Sequence, residues 1–149
     1  TLINKLKKRE SPLSIILSSI NEIEKYGYIQ DKFLNLINKI FPGKYTILIK
    51  AKKHNLSTSI QNKSNLIGIW VPNENFCIEL VKSLRKPIIT TSVNVHGAPA
   101  LLDVDNMQKN YPKINIFCSE RKLNSKGSTI LDLSKDSVDV VRLGDEEIF

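Results

Sequence analysis

The sequence predicts an α/β fold in which a single domain of 149 residues forms a mixed β-sheet flanked by helices. Short apolar runs typical of strands alternate with segments whose apolar residues recur at helical spacing, and two further strands end the chain. A hydrophobic content of 41% with 25% charged residues is sufficient for a packed core. No internal repeat or low-complexity linker divides the sequence, so one domain is expected.

The first half of the chain alternates helices and strands. Apolar residues at helical spacing open it, and Ser11-Pro12 ends this helix before a strand of parallel-sheet type at 13–17. Ser19 and Glu22 form a capping-box pattern that predicts a short helix ending near 26–27. Asp31 is expected to cap the next helix, which ends at a Pro-Gly pair. Its predicted core stripe consists of Phe33, Leu34, Ile37 and Ile40.

The second half begins after a strand at 45–49 and a long polar loop at 52–65. A strand at 67–71, a helix and a buried strand at 88–91 predict a crossover unit. We expect a short helix at 104–109, a strand at 114–118, a polar loop at 119–127 and strands at 129–133 and 138–141. The crossover helix carries its apolar residues on one side, and these are Phe76, Leu80, Val81 and Leu84.

Composition limits the classes of function. The formal net charge of +7 favours anionic partners such as nucleotides, phosphates or RNA, although scattered lysines also fit a solvated surface. Cys77 and Cys118 do not form a CxxC motif and accompany only two histidines, so two reduced core thiols are expected rather than disulfides or a zinc site. No apolar run approaches the roughly 20 residues of a membrane span, and no signal sequence opens the chain, so we expect a cytoplasmic protein without membrane contact.

A binding loop is predicted where the strand at 88–91 ends. Ser92, Asn94 and Gly97 are poor core residues, but they suit hydrogen bonding or tight turns. Ligands of open α/β sheets lie just beyond strand carboxyl ends, so these groups could hold an anion or a ribose; a simple turn explains them equally well. We interpret His96 as a turn or surface residue rather than a general base.

Other short motifs at element ends carry basic or hydroxyl side chains. Lys7 and Arg9 could oppose the dipole of the first helix or clamp a phosphate. Ser128, after Gly127, could begin a strand, and Arg142 could be an edge-strand charge; both could also contact phosphate. The Walker-type loop, the dinucleotide-binding glycine motif and the motifs of zinc proteases and serine hydrolases are absent from the sequence.

Together these motifs resemble, in order and spacing, those of the YrdC-like family, which includes threonylcarbamoyl-AMP synthases and YciO-type relatives. The resemblance covers nearly the whole chain and implies one YrdC-like domain over residues 1–149, with a twisted mixed sheet flanked by helices. It also implies N-terminal truncation, because the family has a strand and a Thr-rich turn before the first motif. The matching segments are Lys7-Lys8-Arg9, Ser11-Pro12-Leu13, Pro42-Gly43-Lys44-Tyr45-Thr46, Ile67-Gly68-Ile69-Trp70-Val71-Pro72, Ser92-Val93-Asn94 with Gly97, Ser128-Thr129-Ile130 and Arg142-Leu143-Gly144.

The resemblance implies an L-threonylcarbamoyladenylate synthase, which forms threonylcarbamoyl-AMP and pyrophosphate from ATP, L-threonine and bicarbonate. The product would serve N6-threonylcarbamoylation of adenosine 37 in tRNA, with tRNA or double-stranded RNA and the threonylcarbamoyl-transfer proteins as further partners. Mg²⁺ would accompany ATP, and no metal ligands are assigned on the chain. The family's catalytic tetrad matches Lys7, Arg9, Ser92 and Asn94, and nucleotide binding would also involve Thr91, Ser128 and Arg142.

Two alternatives remain open at the level of the sequence. The first is a non-catalytic RNA- or nucleotide-binding module of the same fold, similar to YciO-type relatives. It is favoured by the basic charge and by Trp70, which stands where the family usually has arginine. The second is a remnant domain that folds poorly, because the loss of a central strand would expose the apolar edges of its neighbours.

Overall fold

The structure is a computed structural model that describes residues 2–7, 13–53, 56–57, 60, 65–118 and 122–147. Two 3₁₀ helices, Ile20–Lys25 and Asp31–Phe33, accompany the α-helices and strands of this described part. In chain order these are α1 (Leu2–Lys7), β1 (Ser14–Ile16), β2 (Gly27–Tyr28), α2 (Leu34–Ile40), β3 (Tyr45–Ala51), β4 (Leu66–Trp70), α3 (Asn75–Leu84), β5 (Ile88–Thr90), α4 (Val104–Asn110), β6 (Thr129–Asp132) and β7 (Asp139–Arg142).

All of these strands belong to one mixed sheet. Its order is β5-β1-β4-β3-β6-β7, and β2 pairs with the end of β3. The β1–β4 and β3–β6 pairs are parallel, whereas β5, β2 and β7 join the sheet in antiparallel orientation, as β3 does to β4. The predicted α/β class with a mixed sheet flanked by helices is therefore confirmed.

The core lies on one face of this sheet. Ile15, Ile69, Ile47 and Leu131 are directly opposite one another on four neighbouring strands, and all four are fully buried. Phe33, Ile37 and Ile40, from the segment that includes α2, join the same cluster. Because side chains alternate along a strand, the residues on either side of this row point to the opposite face. That second face carries the candidate site.

Helix starts in the first half differ from the prediction. Ile20–Lys25 is a 3₁₀ helix, and the Ser19 side chain caps nothing; instead Glu22 accepts hydrogen bonds from the backbone N–H and hydroxyl of Ser18, at 3.0 and 2.7 Å. Asp31 opens a 3₁₀ turn with Gln30 at its N-cap position and no side-chain cap. Leu34 is exposed, so the predicted apolar stripe is buried at only three of its four positions.

The prediction of a crossover unit was wrong in the direction of its second strand. The strand β5 runs antiparallel to β1, which is itself parallel to β4 and lies between β4 and β5. It is a half-buried edge strand of the described sheet rather than a buried one. Within α3 only Val81 is buried, since the rest of the predicted apolar face lies at the surface of the described structure: Phe76, Leu80 and Leu84.

The strand predicted at 114–118 is also absent, and these residues are irregular. Phe117 is 89% exposed, and this segment pairs with no strand of the described sheet. Cys77 is half-buried and Cys118 exposed, which contradicts the expectation of two core thiols, although both are free cysteines as predicted. The proposed helix stop at 11–12, most of the polar loop at 52–65 and the first three residues of the polar loop at 119–127 lie outside the described residues. None of the described helices has the length and apolar composition of a membrane span.

Candidate functional site

A cleft of about 940 Å³ lies over the sheet face opposite the core. Its floor includes Ser14, Thr46 and Ile130, which alternate with the buried residues of their strands. Its walls come from the turns around β3 and β4, the end of β5 and the chain around β6 and β7. Of the predicted site residues, the cleft is lined by Thr91, Ser92, Ser128 and Arg142.

The predicted loop after β5 is held against the end of α1 by Lys7. This lysine is only 5% exposed, and its ammonium donates hydrogen bonds to the Ser92 carbonyl and to Asn94 Oδ1. The backbone N–H of His96 donates to the Lys7 carbonyl at 2.9 Å. Lys7, Ser92 and Asn94 are thus brought together as the resemblance implied, whereas Arg9 lies outside the described residues.

Contacts within the loop fix the orientation of Asn94. Its Oδ1 accepts from the Ser92 hydroxyl at 2.8 Å, and its amide nitrogen donates to the Ala98 carbonyl at 2.7 Å. His96 is exposed in the same turn, as predicted. Lys7 and Asn94 line a smaller, adjoining cavity of about 130 Å³, and Thr91 and Ser92 line both spaces. Lys7 and Asn94 therefore support the loop, while Thr91 and Ser92 border the cleft.

A second cluster forms where β3, β6 and β7 come together. The Arg142 guanidinium donates to the Ser128 carbonyl, at 2.7 Å from Nη2 and 3.2 Å from Nε. The hydroxyls of Ser128 and Thr46 lie 2.8 Å apart in a hydrogen bond. The structure thus brings Ser128 and Arg142 together, whereas their implied role toward phosphate stays a prediction. Thr46 was missed as a site residue, because its partner is 82 residues away in the sequence.

Gly144 allows the chain after Arg142 to approach this cluster. A Cβ at Gly144 would collide with the backbone of Gly127 and Ser128, so a side chain here would displace the strand that carries the arginine. The Gly144 N–H donates to the Thr129 hydroxyl at 2.9 Å, and the Asp145 N–H donates to the Gly127 carbonyl at the same distance. The glycine of the Arg142-Leu143-Gly144 motif is therefore required for steric reasons.

Asp145 organises the chain before Ser128, a role that no sequence signal indicated. Its carboxylate accepts hydrogen bonds from the Ser125 hydroxyl, at 2.7 Å, and from the Lys126 N–H, and it lies 3.7 Å from the Lys44 ammonium. The Ser125 hydrogen bond is the largest effect on the Asp145 pKa; burial opposes it, and the net pKa is lowered. Asp145 is therefore held as a carboxylate beside the cleft.

Trp70 is another lining residue that was not predicted as part of the site. Its indole N–H donates to the Gly43 carbonyl at 2.6 Å, and the side chain packs partly against the core. The ring belongs to the wall formed by the turns before β3 and after β4.

Both cations and carboxylates line the cleft. Glu74, on its rim, accepts from the Cys77 and Phe76 N–H groups at 2.8 and 3.1 Å, and these hydrogen bonds lower its pKa. No cluster of three or more His, Cys, Asp or Glu side chains suited to a metal ion occurs within the described ranges. The lining cations are Lys39, Lys44 and Arg142.

Comparison with known protein families shows the family to which this chain belongs. A family model described as "Telomere recombination", that of the Sua5, YciO and YrdC proteins, matches residues 1–144. The chain belongs to the Sua5/YciO/YrdC family. Among curated members, it is 35% identical over 143 residues to a Methanocaldococcus jannaschii protein provisionally named a threonylcarbamoyl-AMP synthase, with 93% of this chain and 66% of that protein covered.

Other members of the Sua5/YciO/YrdC family are more distant. The chain is 24% identical over 141 residues to the threonylcarbamoyl-AMP synthase of Mus musculus, covering 89% of the chain and 50% of that enzyme. YciO of Escherichia coli is similar in structure, with a TM-score of 0.86, 23% identity and coverage of 97% and 72% of the two chains. P. abyssi Sua5 complexed with L-threonine has a TM-score of 0.82 and 22% sequence identity. The match covers 96% of this chain and 43% of that one. These structures establish the fold, and the chain spans about half to two thirds of the curated relatives' length.

Proposed function

We propose that this protein is a threonylcarbamoyl-AMP synthase, which converts ATP, L-threonine and bicarbonate into threonylcarbamoyl-AMP and pyrophosphate. The observation that carries the proposal is the cleft wall in which Arg142, Ser128 and Thr46 come together, facing the same space as Thr91 and Ser92. The choice of substrates rests on the family members that bear this name. The wall supplies a place for the phosphates.

The chemistry of the reaction fits such a wall. Addition of bicarbonate to the threonine amine gives a carbamate, with loss of water. A carbamate oxygen then attacks the α-phosphorus of ATP, so one P–O bond forms while the bond to pyrophosphate breaks. Negative charge on the phosphoryl oxygens is stabilised by positioned cations and hydrogen-bond donors, and no side-chain nucleophile is required. An arginine beside hydroxyl groups is well suited to this task.

Mg²⁺ enters this proposal as part of the substrate MgATP. Glu74 and Asp145 lie at the cleft, but both accept hydrogen bonds from the protein. The described residues provide no cluster that would hold the ion by themselves. Mg²⁺ commonly takes most of its ligands from phosphates and water, so the chain needs to contribute few.

Transfer of the threonylcarbamoyl group to adenosine 37 of tRNA, with the transfer proteins as partners and the cytoplasm as the compartment, belongs to the same proposal. The net charge of +7 supports contact with a polyanion such as tRNA.

The decisive experiment is a product assay on the purified protein with MgATP. We expect pyrophosphate release that needs both threonine and bicarbonate, and threonylcarbamoyl-AMP detected by mass spectrometry. Arg142→Ala should abolish most of this turnover, while Lys82→Ala, which changes an exposed lysine on α3, should leave it unchanged. ATP binding without any product would contradict the proposal.

The second candidate is a non-catalytic nucleotide- or RNA-binding module. It is favoured by one observation: the Lys7 ammonium hydrogen-bonds to the loop after β5, although the resemblance implied a role around the nucleotide. It predicts no turnover and an affinity for RNA whose logarithm falls steeply with the logarithm of the salt concentration. Product formation would exclude it.

A further inference from the structure

Trp70 is the single tryptophan of the chain and one of the residues that line the cleft. The pairing register fixes its place on the sheet. Ile69 is opposite Ile47 in the antiparallel β3–β4 pair, so Trp70, one residue later, is opposite Thr46, one residue earlier. Directly opposite residues share a sheet face. Trp70 is therefore a neighbour of Thr46, which belongs to the cleft wall proposed above to hold the phosphates.

The same row continues across the sheet to the arginine. Thr46 pairs with Ile130, and Ile130 pairs with Arg142. Three strand spacings thus separate Trp70 from Arg142, or about 14 Å at roughly 4.8 Å each. An extended nucleoside triphosphate is comparable in length. A molecule whose phosphates contact Arg142 can therefore place its other end at Trp70.

The indole is also fixed in orientation. Its N–H is hydrogen-bonded to the Gly43 carbonyl at 2.6 Å, and the Gly43 N–H donates to the Val71 carbonyl at 3.0 Å. The turn before β3, which is itself hydrogen-bonded to the chain just after β4, therefore anchors the N–H edge of the ring. A ring fixed in this way loses little conformational freedom when a flat ligand stacks on it.

We propose that the Trp70 indole is the stacking platform for the nucleobase of the nucleotide that occupies the cleft. The proposal rests on the nucleotide function proposed above and adds the position of the base. A stacked aromatic contact tolerates any base, because every base presents a π-face, and alanine substitutions at such contacts weaken binding roughly ten- to a hundredfold. Base and phosphates then occupy opposite ends of one row of residues.

The single tryptophan makes the test direct. Intrinsic fluorescence is titrated with ATP, with adenosine and with inorganic tripolyphosphate, while calorimetry measures binding of the same three compounds. We expect ATP and adenosine to quench the emission, and tripolyphosphate to bind with little change in it. Calorimetric binding of ATP without quenching would overturn the stacking assignment and leave the nucleotide function standing. Failure of ATP to bind at all would overturn both.

Variants separate stacking from a merely structural role. Trp70→Leu should weaken ATP binding roughly ten- to a hundredfold and leave tripolyphosphate binding unchanged. Trp70→Phe keeps a ring and should stay within about fivefold of the parent protein. Equal losses for ATP and tripolyphosphate in Trp70→Leu would instead indicate that the tryptophan only supports the wall, and would contradict the proposal.

Discussion

The two ends of the candidate site use their cations differently. At the loop after β5, the cation of Lys7 is buried and donates to Ser92 and Asn94 of the protein itself. At the opposite wall, Arg142 is exposed, and it holds the Ser128 carbonyl while lining the cleft. Two basic residues of the same set of motifs thus have different surroundings. One supports the loop beside the cleft, and the other lines the cleft itself.

The largest effect on folding stability is expected from Lys7→Met. Removing the ammonium leaves the Ser92 carbonyl and Asn94 Oδ1 without this donor in a partly buried place, which should cost about 1 to 3 kcal/mol of folding free energy. Thermal unfolding measures this loss, and ATP affinity should fall as the loop moves. Lys5→Met, at an exposed position of the same helix, is the control. Equal stability of the two variants would show that Lys7 does not support the loop.

Arg142→Ala is expected to separate binding from folding. The guanidinium is exposed, so the melting temperature should change little, whereas a lost charge-assisted contact to phosphate typically costs about 1.5 to 3 kcal/mol of binding. Calorimetric titration with ATP measures the change. Arg142→Lys should recover only part of it, because an ammonium lacks the two-pronged geometry. A fall in stability with unchanged ATP affinity would reverse the contrast between the two ends.

Thr46→Val should have a smaller effect. The substitution keeps the shape of a buried side chain but removes the hydroxyl that hydrogen-bonds to Ser128, a loss of about 1 kcal/mol. The Ser128→Ala variant removes the other partner of the same bond. If the pair acts as a unit, the double variant should lose less than the sum of the single losses, in both unfolding and ATP titration. Full additivity would show that the two hydroxyls act separately.

The smallest effect is expected at Asp145 and depends on pH. Since the folded protein lowers this pKa, the carboxylate contributes stability above its unfolded pKa of about 3.9 and loses that contribution as pH falls through the folded value. The stability gap between the parent and Asp145→Asn should thus be largest near neutral pH and shrink below about pH 4. Asp139→Asn, at an exposed ion pair, is the control for surface charge. A gap that stays constant with pH would contradict the assigned role.

Local patterns predicted those parts of the fold that local chemistry determines. The short apolar runs at 45–49 and 67–71 identified two central strands, which the structure places at Tyr45–Ala51 and Leu66–Trp70. A similar run at 114–118 predicted a strand that does not form, since a strand also needs a partner and the sequence does not show where partners lie. The prediction of an apolar core face on α3 was wrong for a similar reason, because the spacing of apolar residues does not show what packs against them. Only Val81 of that face is buried.

The site was predictable to the extent that motifs carried it. The resemblance identified Ser92, Asn94, Ser128 and Arg142, and the structure brings them together in two clusters. Thr46, Asp145 and Trp70 were not predicted as site residues, because their contacts join residues that are distant in sequence. No local pattern indicates that a threonine will meet a serine across two strands.

The Lys7 contact also has a kinetic consequence. Its hydrogen bonds join residues 85 and 87 positions apart, so the loop acquires its shape only after most of the intervening chain has formed the sheet. Contacts of such long separation are late and slow events in folding, because the entropy of closing the loop is lost first. Ligand-binding competence should therefore appear in the last phase of refolding, after the secondary structure is complete.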